Sequence, residues 1–419
     1  MSVAGAGDTR AVPVYQLLAG VTSGLYTLIF TLNLLYQVKI VGLSPLQLVL
    51  VGTVLEAVVF VAEIPTGIVA DLYSRKLSII IGLVLVGFGF VLEGSVAHFG
   101  AVILAQVLWG VGFTFTSGAV EAWITDEVGS EQVAPVFIRG GQIEQITSFV
   151  AIAAAGLLGL VWLRLPIIAG GAGFVVFGLV LIRVMPELGF RPNTTDRTTP
   201  AQMRHQFTSG LALARRRPVV RSLILISLVS GLSSEAFDRL WTAHLLRGFD
   251  FPALFGHTRD VLWFSIIAMV GAVLAFGFAT AFDRISPTTL TAHHPARLLA
   301  GLAGLQVLAA AVFAVSGIFG LALAALWVRT IAGVIARPVS SAWMNRQLEP
   351  GVRATVLSME SQVNAIGQVV GGPALGWVGS AYSIRAALLA SAGVLAPAVA
   401  LYARIRDDRA AVNVVPADD

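Results

Sequence analysis

No cysteine occurs in the 419 residues, which excludes disulfides, zinc–thiolate sites, iron–sulfur clusters and thiol nucleophiles by inventory. Charge is almost as scarce. Asp, Glu, Lys and Arg make up 12% of the chain, where a soluble domain carries about 25% and needs them for its surface. Water is therefore not the solvent for most of this surface. Only Lys39 and Lys76 are lysines, which points to an arginine-biased genome, so the formal net charge of +4 is no sign of nucleic-acid binding. Catalytic signatures are missing too: there is no H-E-x-x-H, no G-x-S-x-G, no paired-aspartate metal motif and no Walker loop. His98, His205, His244, His257, His293 and His294 fall in expected loops or at the ends of apolar runs and make no convincing metal set. No enzyme activity, ATP-driven pump, cofactor or metal is expected.

What the chain has instead is apolar length. Hydrophobic residues make up 57% of it, and a bilayer core of about 30 Å needs a helix of about 20 such residues. Apolar runs stand near 12–38, 46–70, 77–97, 100–124, 138–163 and 165–185. After a polar stretch they resume near 219–247, 259–282, 296–315, 317–345, 354–379 and 384–405. The first run is too long for the core of a cleavable signal peptide and lacks an early small-residue cleavage site. The reading is an all-α membrane protein of twelve transmembrane helices in two pseudo-symmetric six-helix halves. The boundaries are 1–185, a cytoplasmic linker 186–218, 219–405, and a cytoplasmic tail 406–419. Within the linker Met203, Phe207, Leu211 and Ala214 recur at helical spacing opposite the arginines, which suits a short helix lying on the membrane surface.

Arginine placement sets the expected orientation. With both termini in the cytoplasm, Lys39, Arg164, Arg247, Arg259 and Arg385 fall outside, Arg239, Arg329 and Arg337 fall within spans, and all other basic residues fall inside. An internal repeat supports the halves. At a constant offset, Ala122, Trp123, Ala134, Val136, Gln142 and Ile146 meet Ala342, Trp343, Ala354, Val356, Gln362 and Ile366. Paired tryptophans and glutamines in the same place of each half are hard to obtain from an Ala/Val-rich background.

Between the second and third spans stands Gly67-Ile-Val-Ala-Asp71-Leu-Tyr-Ser-Arg75-Lys76. It closely resembles the loop signature G-x-x-x-D-x-x-G-R-[RK] of the major facilitator superfamily, with Ser74 in place of the second glycine. A degenerate copy, Phe282-Asp-Arg-Ile-Ser286, occupies the corresponding loop of the second half. The resemblance implies a transporter of small molecules in a bacterial cytoplasmic membrane. It further implies a cytoplasmic gate of Gly67, Asp71, Arg75 and Lys76, with Asp71 near the N-terminus of the eleventh helix, where the dipole favours an anion. Gly67 is expected to permit close helix approach, and Asp126 and Arg139 are assigned to the same gate. Two marks of drug/proton antiporters in the family are displaced: Gln106 stands where an arginine is usual, four residues before Gly110, and Ala153–Gly156 replaces a Gly-Pro motif. The second half instead has Arg329 four before Gly333, and a Gly-rich eleventh span with Pro373.

Ionisable groups at membrane depth are costly, so each is expected to face a cavity or a partner. Candidates for proton coupling are Glu56, Glu235, Asp238 and Glu144. For Glu56 two readings stand, a proton carrier or a carboxyl held by a neighbouring helix. Glu235 and Arg239 are spaced to pair along one helix, leaving Asp238 unmatched. Glu93, near the outer end of the third span, is expected to reach the interface. Tyr26, Asn33, Tyr36, Gln37, Gln106, Trp109, Arg329 and Asn364 are the candidates for lining a substrate cavity. The leading expectation is a monomeric, proton-coupled exporter of small amphipathic or lipophilic compounds. The alternative is a proton-coupled importer of a polar metabolite such as a sugar, organic acid or peptide, favoured if polar groups converge around Arg329.

Overall fold

A computed structural model describes residues 10–192, 208, 215, 217–254, 260–285, 294–347 and 350–405. The expected surface helix of the linker and the tail lie outside the described residues. Among those described, every regular element is helical. α1 (Ala11–Tyr36) runs on into a π-helical turn, Gln37–Val41. It is followed by α2 (Pro45–Leu72), α3 (Arg75–Ser95), α4 (Phe99–Thr116), α5 (Ala119–Val128), α6 (Val133–Val161) and α7 (Leu165–Val184). The second set is α8 (Pro218–Gly248), α9 (Asp260–Ile285), α10 (Pro295–Val315), α11 (Phe319–Gln347), α12 (Pro350–Ala381) and α13 (Ile384–Arg404).

Local chemistry sets the boundaries. α2 begins with Pro45 at its first position and a capping box in which the Ser44 hydroxyl accepts from Gln47 N while the Gln47 side chain accepts from Ser44 N. Ser74 and Ser383 cap α3 and α13 in the simpler way. The fourth apolar run, expected to be continuous, is broken into α4 and α5 because Gly118 adopts φ 70°, a conformation that interrupts the hydrogen-bond ladder. Among the described residues, eleven helical segments, with α4 and α5 counted as one, are long and apolar enough to cross a membrane. The expected twelfth, α12, has the length at 32 residues, but Arg353, Glu360, Gln362, Asn364 and Gln368 make it too polar to be recognised by hydropathy alone.

The packing repeats. α1 lies on α6 and α7, α3 on α4 and α7, and α2 on α4; correspondingly α8 lies on α12 and α13, α10 on α11 and α13, and α9 on α11. Across these sets α2 meets α8 and α12, while α6 and α1 meet α9. Trp123 and Trp343, the tryptophans of the sequence repeat, are both buried at matching points of the two sets.

The two ends of the bundle differ. At the end bearing the α1–α2 and α12–α13 turns, one continuous apolar core draws on both sets, from Leu32, Leu48 and Val49 to Phe237, Leu240, Leu375 and Leu388. Lys39 pairs there with Asp260, and Leu46 N donates to Ser380 Oγ at 2.9 Å. Toward the chain termini the core divides in two, one part confined to residues between Ala11 and Met185 and the other to residues between Val220 and Ile405. The bundle is sealed at one end and split at the other.

Candidate functional site

At the terminal end, the α2–α3 loop is held by residues of its own set. Arg75 Nη1 lies 2.6 Å from Asp126 Oδ2. The Glu187 carboxylate accepts from Ser74 Oγ at 2.6 Å and from Lys76 N at 2.8 Å, so an anion sits on the N-terminus of α3, where the helix dipole favours it. Glu127 accepts from Leu188 N and Gly189 N, and Trp123 Nε1 donates to Pro186 O. The expected gate is thus gathered in part: Arg75 meets Asp126, while the Lys76 backbone is held by Glu187. Arg139 is exposed, and neither it nor Asp71 forms an ion pair or hydrogen bond among the described residues. A Cβ on Gly67 would meet nothing within 4 Å, against the close approach expected there. This follows from the split: with the terminal end open, the lower part of α2 stands away from the second set.

The upper part of α2 is closely packed. Gly52 faces α8 so tightly that a Cβ would run into the Glu235 carboxylate and would stand 2.6 Å from Arg239 Nε. Glu235 is buried and pairs with Arg239 at 3.5 Å, as the i, i+4 spacing predicts. Glu56 lies one helical turn beyond Gly52, within the electrostatic reach of Arg239. The Arg239 guanidinium at the α2–α8 seam is thus engaged by Glu235.

The larger cavity belongs to the second set. It encloses about 770 Å³ between α8, α10, α11, α12 and α13, and its walls include Ser230, Ser234, Asp238, Gln306, Arg329, Thr330, Arg337, Ser340, Asn364 and Gln368. Arg329 is held in place twice, 3.5 Å from Asp238 and with its guanidinium 3.6 Å over the Phe237 ring. Asn364 donates to Ser227 O at 3.1 Å and accepts from Gln368 at 2.8 Å. Arg337 is exposed to the cavity and forms no ion pair among the described residues. Two arginines and one aspartate give the walls an excess of positive charge. Of these residues, sequence reasoning singled out Arg329, Asp238 and Asn364. It missed the serine row and placed Arg337 within a span without assigning it a role.

A smaller cavity of about 250 Å³ lies in the first set, lined by Tyr15, Thr22, Tyr26, Phe113, Thr116, Glu121 and Glu144 among others. Tyr26 and Glu144 thus do face a cavity, and Tyr26 stacks on Phe30. Trp109 instead packs between Phe30 and Phe90, at ring separations of 5.1 and 5.4 Å.

The remaining first-set cavity candidates are elsewhere. Asn33, Tyr36, Gln37 and Gln106 are buried and turn to Glu93, whose backbone oxygen accepts from Tyr36 OH at 2.6 Å. Glu93 was expected to reach the interface from its place near a span end, but it does not. It is fully buried, because the side-chain amides of Asn33, Gln37 and Gln106 receive its carboxylate in the interior.

With this geometry in hand, comparison with known proteins fixes the class. The model of the Major Facilitator Superfamily matches residues 16–305, and the chain belongs to that family. An uncharacterized MFS-type transporter of Bacillus subtilis (strain 168), YxaM, is 21% identical over 413 residues, covering 96% of this chain and 97% of its own length. Among solved structures, the nucleoside transporter NupG superposes with a TM-score of 0.77 at 17% identity, over 94% of this chain and 100% of that one. The peptide transporter POT in complex with sulfate gives 0.72 at 14% identity, covering 96% and 95%. A bacterial homologue of the human lysosomal transporter Spinster, in an inward-facing and occupied conformation, gives 0.70 at 17% identity, covering 93% and 95%. These likenesses establish the fold: the chain is a multi-pass membrane protein of a transporter family.

Proposed function

We propose that this chain is a secondary transporter for the uptake of a small polar metabolite bearing an anionic group, driven by a cation gradient. In this reading residues 1–185 and 219–405 are two six-helix halves that rock about a midplane site, joined by the linker 186–218 and followed by the tail 406–419. Both termini are cytoplasmic, so the split end opens to the cytoplasm and the sealed end faces outward. The single observation that carries the reading is the polar cavity, where Arg337 offers a guanidinium without an ion-pair partner among the described residues, beside hydroxyl and amide groups that can orient a ligand. A site lined with hydrogen-bonding groups rejects molecules that leave those groups unpaired. For that reason the expected export of lipophilic compounds gives way to the polar alternative. The nucleoside and peptide transporters that share the fold are consistent with this choice.

The test is uptake into proteoliposomes of radiolabelled organic acids, nucleosides, peptides and sugars, with lipophilic cations in parallel. Polar, anionic compounds should accumulate, and Arg337→Gln should weaken their apparent affinity by about tenfold, the loss of one charge-assisted contact. Accumulation or expulsion of the lipophilic cations alone would overturn the assignment.

A further inference from the structure

The two helical sets repeat at one constant offset as far as the last described residue. Ile79, Ala119, Trp123 and Met185 belong to the core of the first set at its terminal end, and Leu299, Val339, Trp343 and Ile405 hold the same places in the second. All eight are buried. The exits from the last helices match as well: Met185 ends α7 at φ −82°, ψ 117°, and Ile405 ends α13 at φ −73°, ψ 119°. The chain therefore leaves both sets in the same direction.

Beyond the exit of the first set, three residues turn back onto it. Pro186 O accepts from Trp123 Nε1 at 2.7 Å, the Glu187 carboxylate accepts from Ser74 Oγ and Lys76 N, and Leu188 N donates to Glu127. These contacts tie the end of α7 to α5 and to the first turn of α3.

The second set has the receiving half of this arrangement. Trp343 is 2% exposed, and its indole N–H is buried with no acceptor among the described residues. Its ring is already seated, 6.4 Å from that of Tyr402, so what it lacks is a carbonyl rather than packing. α10 begins at Pro295, the counterpart of Arg75, which sets Ala296 N in the place of Lys76 N. The sequence supplies the other half. Arg406, Asp407 and Asp408 stand at the offset of Pro186, Glu187 and Leu188, so in each set a carboxylate follows the exit by two residues. The likeness stops there: Gly189 lies where a Cβ would run into Asp126 O, and its counterpart is Arg409.

We propose that residues 406–408 dock on the second set as a clasp, with the Arg406 carbonyl accepting from the Trp343 indole and the Asp407 carboxylate taking the N-terminus of α10, where the helix dipole favours an anion. The clasp joins α10, α11 and α13 at the split end of the bundle. All three helices are walls of the polar cavity, and α11 carries both of its arginines. The start of the tail is thus a working part of that set, while the residues beyond Arg409 are not.

The experiment is thermal unfolding of the purified full chain in detergent, without substrate, beside chains ended at Arg409 and at Ile405. The chain ended at Arg409 should unfold at the midpoint of the full chain, and the chain ended at Ile405 at a lower one. Asp407→Ala, which serves if the shorter chain does not fold, should lower the midpoint by part of that shift. Trp343→Phe removes the indole donor and completes a double-mutant cycle: ending the chain at Ile405 should then shift the midpoint less than it does with Trp343 in place. The proposal is overturned if the chain ended at Ile405 or Asp407→Ala unfolds at the full-chain midpoint, or if Trp343→Phe leaves the shift undiminished. Because no substrate is used, the outcome is independent of what the polar cavity carries.

Discussion

Arg329 Nη1 stands 3.5 Å from Asp238 Oδ1 on the wall of the polar cavity. The aspartate side chain is 58% exposed and the arginine 18%, so the pair is solvated on the acidic side, and its attraction is correspondingly weak. Its consequence is a restrained guanidinium, kept over Phe237 and partly neutralised. Asp238→Asn removes the neutralising charge while leaving the stacking intact. We expect tighter apparent binding of an anionic substrate, by about tenfold, with a smaller change in maximal rate. Concentration-dependent uptake in proteoliposomes measures both, and an unchanged affinity would show that the substrate does not reach this pair.

The sealed end allows a direct test of alternating access. Leu46 and Ser380 meet there across the two sets, and the chain has no native cysteine to interfere. Leu46→Cys with Ser380→Cys should form a disulfide under mild oxidation and stop transport, and a reductant should restore it. Transport that continues at full rate with the bond formed would mean that this contact does not open during the cycle.

Glu187 holds the start of α3 through two hydrogen bonds, from Ser74 Oγ and from the Lys76 backbone. Truncating it leaves the first turn of α3 without its anion and orphans a part-buried donor. Glu187→Ala should cost about 1–3 kcal/mol of stability, read as a lowered unfolding midpoint in detergent. Glu187→Gln, which keeps an acceptor oxygen but loses the charge, should fall between that variant and the wild type.

How much of this was legible beforehand follows the range of the interactions. Apolar runs and capping residues are local, so the helices stand close to where the sequence puts them, and the repeat containing Trp123 and Trp343 survives as matched packing. The Glu235–Arg239 pair was readable because both residues lie on one helix. The Glu93 cluster was not, since its amides come from residues 33, 37 and 106, on two other helices, and only packing brings them to residue 93. One signal was present: Asn33 and Gln37 are one turn apart on an otherwise apolar helix, which announced a shared polar partner without naming it. Gly67 shows the converse. Its motif predicted a close helix contact, but a contact that belongs to the closed gate cannot be present where the terminal end is split.

Gly52 offers the sharpest test of the seam. A methyl group there would collide with the Glu235 carboxylate, and Glu235 cannot retreat without loosening its pair with Arg239. Gly52→Ala should therefore overpack the α2–α8 contact, at a cost of about 1–3 kcal/mol, and shift the population away from the sealed arrangement. Val49 reports on that shift, because it is fully buried one turn before Gly52 and contacts α12 near Gly372 and Gly376. A Val49→Cys reporter should react slowly with a maleimide in the otherwise unaltered chain and faster when Gly52→Ala is added. If the alanine instead left the labelling rate unchanged while lowering the unfolding midpoint, the seam would be a structural contact that stays shut throughout transport, and opening of the sealed end would have to occur elsewhere.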